Sequence, residues 1–229
     1  MGTDPNKERF YGRRKGRSLR AGIQNLVDDL LPKITVTGEA GLIDPAEVFD
    51  EANRELWLEI GFGAGEHLAW QASHHRNVNI IGCEPYINGV ARLLADIRDE
   101  KLTNVRICPD DARPLLDALP DQSISRAFVL FGDPWPKKRH NNRRMIGPEN
   151  LTRLARILKD GALLRIASDH GEYVRWIIRH LSQDENFKWL DEGPSDWYQR
   201  EEDWPPTRYE TKALAGRAHY LRFERNARG

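Results

Sequence analysis

From Leu56 onward, short runs of consecutive apolar residues alternate with stretches in which apolar residues recur every three or four positions. The first pattern reads as strands buried on both faces, the second as helices with one buried face. Strands are predicted over 56–60, 78–82, 105–108, 124–131 and 162–167. Helices are predicted over 66–73, 87–100 and 112–119, then from Pro148 to a stop before Gly161, and around Val174, Ile177, Ile178 and Leu181. The 87–100 helix buries Val90, Leu93, Leu94 and Ile97. Such alternation implies a mainly parallel sheet covered on both faces. The final pattern, His219-Tyr-Leu-Arg-Phe223, alternates and suits an antiparallel edge strand. The expected fold class is α/β: a Rossmann-like, doubly wound sheet with that antiparallel edge.

Before Leu56 the pattern is weaker. Residues 1–18 are rich in Gly, Arg and Lys and read as a flexible basic arm, leaving 19–229 as a single domain. Leu19, Ile23, Leu26, Val27 and Leu30 mark a helix that Pro32 ends. Residues 33–54 show turn signals and no clear period. No apolar run is long enough to span a membrane, the N-terminus has no signal core, and Asn6 stands where a myristoylation signal wants Ser or Thr. Cys83 and Cys108 both fall at the ends of predicted strands, which points to a reducing cytoplasm rather than a disulfide framework. The histidines have no metal-ligand spacing, so no metal is expected.

The first strand runs into Glu59-Ile-Gly61-Phe-Gly63-Ala-Gly65, a turn whose glycines let backbone approach a ligand closely. Glu84 ends the second strand, where an acid grips the hydroxyls of a ribose. Those features suit either NAD or S-adenosylmethionine. The spacing G-x-G-x-G differs from the dinucleotide G-x-G-x-x-G, and Glu59 at the mouth of the turn would repel a pyrophosphate while favouring a cationic methionine end. Asp111, after the third strand, is placed to read an adenine amino group or simply to cap the next helix.

The fourth strand runs into Phe131-Gly-Asp133-Pro-Trp135-Pro-Lys137-Lys138-Arg139-His140-Asn-Asn-Arg143-Arg144. Pro134 and Pro136 stop the strand and bias Asp133 and Trp135 toward extended geometry. A carboxylate is thus fixed beside five cationic side chains, which suits an anionic substrate presenting one group for chemistry. The plainer alternative is a Pro-rich turn followed by a solvated basic loop. Net charge is zero, yet seven basic residues fall between Lys7 and Arg20, and six acids between Asp191 and Asp203. Charge segregated this way supports a basic face on a neutral protein.

These residues resemble the bacterial tRNA (guanine-N7-)-methyltransferases, which modify position 46 in the tRNA variable loop. The resemblance runs from about Arg13 to Arg222. It rests on Glu59-Ile-Gly-Phe-Gly, Gly82-Cys-Glu84, Asp111-Ala112, Asp133-Pro-Trp-Pro-Lys137 with Arg139-His140 and Arg143-Arg144, Ser168-Asp169, and Thr207-Arg-Tyr-Glu210. Gly132 and Asn142 depart from the family's usual residues, a bulkier or proline residue and a basic one. The resemblance implies a class I fold with S-adenosylmethionine as cofactor, bound by Glu59, Gly61, Gly63, Glu84, Asp111 and Asp133. Asp133 would be the active-site carboxylate. Lys137, Asp169, Thr207, Arg208, Tyr209 and Glu210 would hold tRNA, by a cytoplasmic monomer or homodimer.

Guanine N7 carries no proton, so the transfer needs positioning and charge stabilisation rather than a base. Lys137, Lys138, Arg139, Arg143 and Arg144 would meet phosphates. Trp135 reads as a base platform or a hydrophobic plug. Asp169-His-Gly-Glu172 also reads as a capping box, and Trp197, Tyr198 and Trp204 read as loop anchors. The competing functions are methyl transfer to another substrate, a tRNA-binding protein without catalysis, and an NAD-dependent oxidoreductase.

Overall fold

A computed structural model describes residues 10–38, 41–51, 54–207, 210–211 and 216–229. Within them β1 (Glu55–Ile60), β2 (Val78–Cys83), β3 (Val105–Cys108), β4 (Ile124–Leu130), β5 (Leu158–Ser168), β6 (Phe187–Trp189) and β7 (His219–Arg225) form one sheet in the order β3-β2-β1-β4-β5-β7-β6. β1 to β5 pair in parallel, and β7 runs antiparallel to both neighbours. The sheet is the mainly parallel α/β sheet that the alternation implies, with β7 as its antiparallel strand. Beyond β7 lies β6, which is too short for a two-residue alternation to reveal.

The helices are α1 (Ala21–Asp29), α2 (Leu31–Ile34), α3 (Pro45–Val48), α4 (Glu66–His74), α5 (Ile87–Glu100), α6 (Ala112–Ala118), α7 (Pro148–Ile157) and α8 (Gly171–Ser182). One core layer joins Trp57, Ile80 and Phe128 of the sheet to Leu68 of α4 and Leu93 and Leu94 of α5. The opposite layer joins Leu58, Val129 and Ile166 to Leu115 of α6, Leu154 of α7 and Ile177 of α8. The buried face of α5 carries the four residues its spacing marks. Truncating such a fully buried leucine to alanine costs about 2–5 kcal/mol.

Two boundaries move for physical reasons. Pro32 does not end the first helix: α1 stops at Asp29, and Pro32 sits in the first turn of α2, where its missing N–H costs nothing. Likewise α7 stops at Ile157, not just before Gly161. Leu158 already pairs with Ile124, and the next pairing is Leu163 with Arg126, so residues 159–162 bulge from β5 with Gly161 at φ +76°. Gly161 serves the bulge, not a helix end. The two cysteines are buried, unbridged and side by side in the β2–β3 register.

Candidate active site

Parallel strands bring their carboxyl ends to one rim, and there a cavity of about 1270 Å³ opens. Its lining includes Glu59, Gly61, Gly63, Glu84, Asp111, Asp133 and Thr207. Ordinary small-molecule sites occupy roughly 300–1,000 Å³, so there is room for a cofactor and a base together. Lys137, Asp169 and Glu210 are not part of the lining, and Arg208 and Tyr209 lie outside the described residues.

The glycine turn is built from left-handed backbone: Gly61, Gly63 and Gly65 have φ of +76°, +56° and +79°. A side chain there would be strained. Gly89, at the start of α5, is held by space instead, since a Cβ would lie 2.0 Å from the Gly63 carbonyl oxygen. Strand ends and helix starts therefore interlock around the turn. Glu84 completes it: Oε2 accepts from Gly63 N–H at 2.8 Å and Oε1 from Tyr86 N–H at 2.9 Å. Each oxygen keeps a lone pair, enough for two ribose hydroxyls. Burial raises the Glu84 carboxyl above its ordinary range, and the two N–H donors oppose that shift. Glu59 is 2% exposed and faces His67 Nδ1 at 2.7 Å.

Asp111 caps α6, accepting from Arg113 N–H at 3.1 Å, and the Arg113 guanidinium grips both its oxygens. The capping role is real, and the residue still borders the cavity. Asp110 beside it pairs with Arg14 at 2.6 Å. That pair belongs to an unexpected wall. Residues 10–13 line the cavity, Gly16 N–H donates to Asn88 Oδ1 at 2.8 Å, and Ile87 N–H to the Arg14 carbonyl at 3.0 Å. The described part of the basic stretch thus docks on the start of α5, and Phe10 and Tyr11 were its only apolar signal.

After β4, the Phe131 N–H donates to the Ala167 carbonyl at 2.7 Å, and the chain then turns with Phe131 at φ +53°. Trp135 has φ +43°, not the extended geometry expected before proline. Left-handed backbone at a bulky residue costs on the order of 1–3 kcal/mol and persists only where surroundings enforce it. Arg144 enforces it. Its side chain is fully buried; Nε donates to the Pro134 carbonyl at 2.8 Å, and Nη2 to the Trp135 carbonyl at 3.3 Å and to Glu172 Oε2 at 2.6 Å. Arg144 therefore holds the loop from beneath and does not meet a phosphate. Arg143 is stacked 3.7 Å from the Tyr11 ring centre and 5.1 Å from that of Trp135. One side of the partly buried Trp135 is thereby occupied. Lys137, Lys138 and Arg139 are exposed. Asp133 faces open cleft, and its loss of hydration raises the carboxyl above the usual range.

Asp169 is not the helix cap. His170 is, with Nδ1 accepting from Tyr173 N–H at 3.3 Å, while Glu172 turns to Arg144. Asp169 is left at the end of β5, 8% exposed. The capping box lies elsewhere. Glu210 N–H donates to Thr207 Oγ1 at 3.2 Å and Thr207 N–H to Glu210 Oε2 at 3.3 Å, the reciprocal pair that T-x-x-E specifies. Tyr220 donates to the same Glu210 carboxylate at 2.5 Å. That signature stood in the sequence, where the segment read as merely polar. Trp197 stacks on Trp189 and Trp204 is buried against Tyr220, as loop anchors do. Among the described residues no cluster of His, Cys, Asp and Glu is placed to hold a metal, and no helix is long and apolar enough to cross a membrane.

Residues 53–222 match the model of a family described as putative methyltransferase. The chain is 50% identical over 226 residues to the tRNA (guanine-N(7)-)-methyltransferase of Rhodospirillum rubrum, spanning 96% of this chain and 89% of the relative. With the protein of the same name from Ruegeria pomeroyi it shares 48% over 232 residues, 97% and 98% of the two chains. Among solved structures, an rRNA methylase from Streptococcus thermophilus aligns with a TM-score of 0.53 at 15% identity, over 80% of this chain and 92% of that one. That last likeness is one of fold.

Proposed function

Because the chain belongs to the tRNA (guanine-N(7)-)-methyltransferase family, and so carries the methyl group of S-adenosylmethionine to N7 of a guanine in tRNA, we propose that its target is the guanosine at position 46 in the variable loop and that Asp133 is the carboxylate beside the reacting base. The observation that carries the site assignment is the common rim. Carboxylates at or just after the ends of β1, β2, β3 and β4 border one cavity, and the last of them stands four residues before the exposed cations of the 137–139 stretch.

The cofactor supplies an electrophilic methyl group on a sulfonium. Glu84, with two lone pairs to spare, holds the ribose; Glu59 faces the cationic methionine end; Asp111 stands near the adenine. The left-handed glycine turn lets the backbone close on the cofactor without side chains intervening. Guanine N7 offers an in-plane lone pair, so no residue has to remove a proton. The work left to the protein is alignment and the stabilisation of positive charge that grows on the purine. Asp133, open to the cleft, serves both ends by accepting from the guanine N1–H and N2–H edge. Lys137, Lys138 and Arg139 meet phosphates, and Asp169 with the 207–210 segment closes the far side of the substrate. The cytoplasm is the compartment we assign, supported by the two unbridged, buried cysteines.

The test is incubation with methyl-labelled S-adenosylmethionine and unmodified tRNA, followed by chain cleavage at 7-methylguanosine. A single labelled guanosine in the variable loop is the expected result. Label at another guanine would refute the position.

A further inference from the structure

Along one wall of the cavity, a buried chain of hydrogen bonds runs from the cofactor end of the site to the segment that supplies Thr207. Glu59 lies near the end of β1, and His67 of α4 places Nδ1 2.7 Å from its Oε2. One helical turn on, Gln71 Nε2 lies 3.1 Å from His67 Nε2 and 2.7 Å from the Asp203 carbonyl oxygen. Glu59, His67 and Gln71 are 2%, 2% and 1% exposed.

The donors and acceptors in this chain are determined. A backbone carbonyl only accepts, so the Gln71 amide turns its NH2 toward Asp203, and the same NH2 meets His67. His67 Nε2 is then the acceptor, and the ring's proton sits on Nδ1, donated to Glu59. That amide orientation leaves Gln71 Oε1 buried without a partner. The two bonds made outweigh the oxygen left bare. The imidazole cannot swing away, because Phe128 and Trp204 meet it edge-on at 4.7 and 5.1 Å. Asp203 is itself fixed, its carboxylate 2.7 Å from Arg165 and 3.2 Å from Arg126.

We propose that His67 is a positioning residue for the methyl transfer: locked in its Nδ1–H form by Gln71, it holds one oxygen of Glu59 and leaves the other for the cationic end of the cofactor, while Gln71 ties this arrangement to the seat of the 203–207 segment. The proposal rests on Glu59 being a cofactor ligand. Without its donor the Glu59 side chain regains torsional freedom, and cofactor binding must order it. Partners behind a ligand set its orientation in this way, and losing one typically costs about 10–100-fold in affinity at metal sites.

The experiment measures S-adenosylmethionine affinity by equilibrium dialysis without tRNA, tRNA affinity by filter binding, and the thermal midpoint. His67→Phe keeps the ring volume between Phe128 and Trp204 and removes both nitrogens. His67→Asn keeps an amide donor toward Glu59. Gln71→Leu removes the link to Asp203. For His67→Phe the cofactor Kd rises about tenfold or more with tRNA affinity unchanged, His67→Asn recovers most of the loss, and Gln71→Leu weakens both ligands. Unaltered cofactor affinity in His67→Phe overturns the proposal. So do equal losses in the Phe and Asn variants that track the thermal midpoint, since His67 would then be packing alone. Unaltered affinity in Glu59→Gln removes the premise. Cofactor binding by the wild type without methylation of tRNA would instead refute the substrate, leaving the His67 result intact.

Discussion

At the scale of single residues, two carboxylates of the rim, Asp133 and Glu84, sit where charge is expensive. Loss of hydration raises Asp133, and the same loss, with Asp133 and Glu59 as like charges nearby, raises Glu84 against its two N–H donors. In the unfolded chain these carboxyls titrate in the ordinary range; in the fold they keep their protons to higher pH. Between the two values the folded state binds more protons, so stability falls as pH rises through that window, and the full penalty stands above it. Asp133→Asn removes an ionisable group without changing shape. The variant should melt higher than wild type near neutral pH, and the gain should shrink as pH falls into the carboxylate range, which thermal melts across pH will test. Its turnover should drop by about 10²-fold or more, with cofactor affinity little changed. A stability cost at neutral pH would contradict the hydration argument. Residue identity carried much of this site, because Glu59, Glu84, Asp111 and Asp133 each end a strand the apolar pattern reveals. It did not carry Arg144 or His67. Nothing in a run of five cations says which one points inward, and a histidine in a helix announces no partner.

At the scale of elements, the turn after β1 and the start of α5 are one mechanical unit. Gly63 supplies a left-handed φ, and Gly89 supplies the absent side chain that lets α5 touch it. Gly89→Ala places a Cβ against a backbone carbonyl that has no room to move, because Gly63 is itself bonded to Glu84 at 2.8 Å. Overpacking of this kind costs about 1–3 kcal/mol, and here it also displaces the cradle. Cofactor affinity should fall by about tenfold along with stability, whereas Gly161→Ala, strained only by its φ of +76° in the β5 bulge, should lose stability by about 1–2 kcal/mol and bind cofactor normally. Calorimetric titration of both variants decides it. Strands and long helices were legible because burial repeats along them. The bulge over 159–162, the three-residue β6 and the 3-10 turn at Lys138–Arg143 were not, since each is shorter than a period or set by a distant partner. The Thr207 and Glu210 box was legible as T-x-x-E, although the segment read alone is merely polar and only Ala213-Leu-Ala215 follows it as an apolar stretch.

At the scale of the whole molecule, neutrality of the sequence hides a division of labour among its charges. Half of the six acids of the 191–203 stretch are spent inward: Asp191 and Glu201 bind Arg222 at 2.7 and 2.9 Å, and Asp203 binds Arg165 and Arg126. Arg144 is spent as a staple. Among the described residues, Lys137, Lys138 and Arg139 have no carboxylate within ion-pair distance and stand exposed in the loop that follows Asp133. They are cations free to meet an RNA backbone. Each phosphate contact contributes a salt-dependence slope of about 0.7–0.9, so replacing all three with glutamine should flatten the log–log plot for tRNA affinity by roughly 2–3 between about 50 and 200 mM salt. Cofactor affinity, governed by buried groups that salt screens poorly, should stay level over the same range in both proteins. Filter binding of tRNA at several salt concentrations measures the slope. A triple variant with the wild-type slope would move the RNA footprint away from this loop, toward the arginines that precede α1.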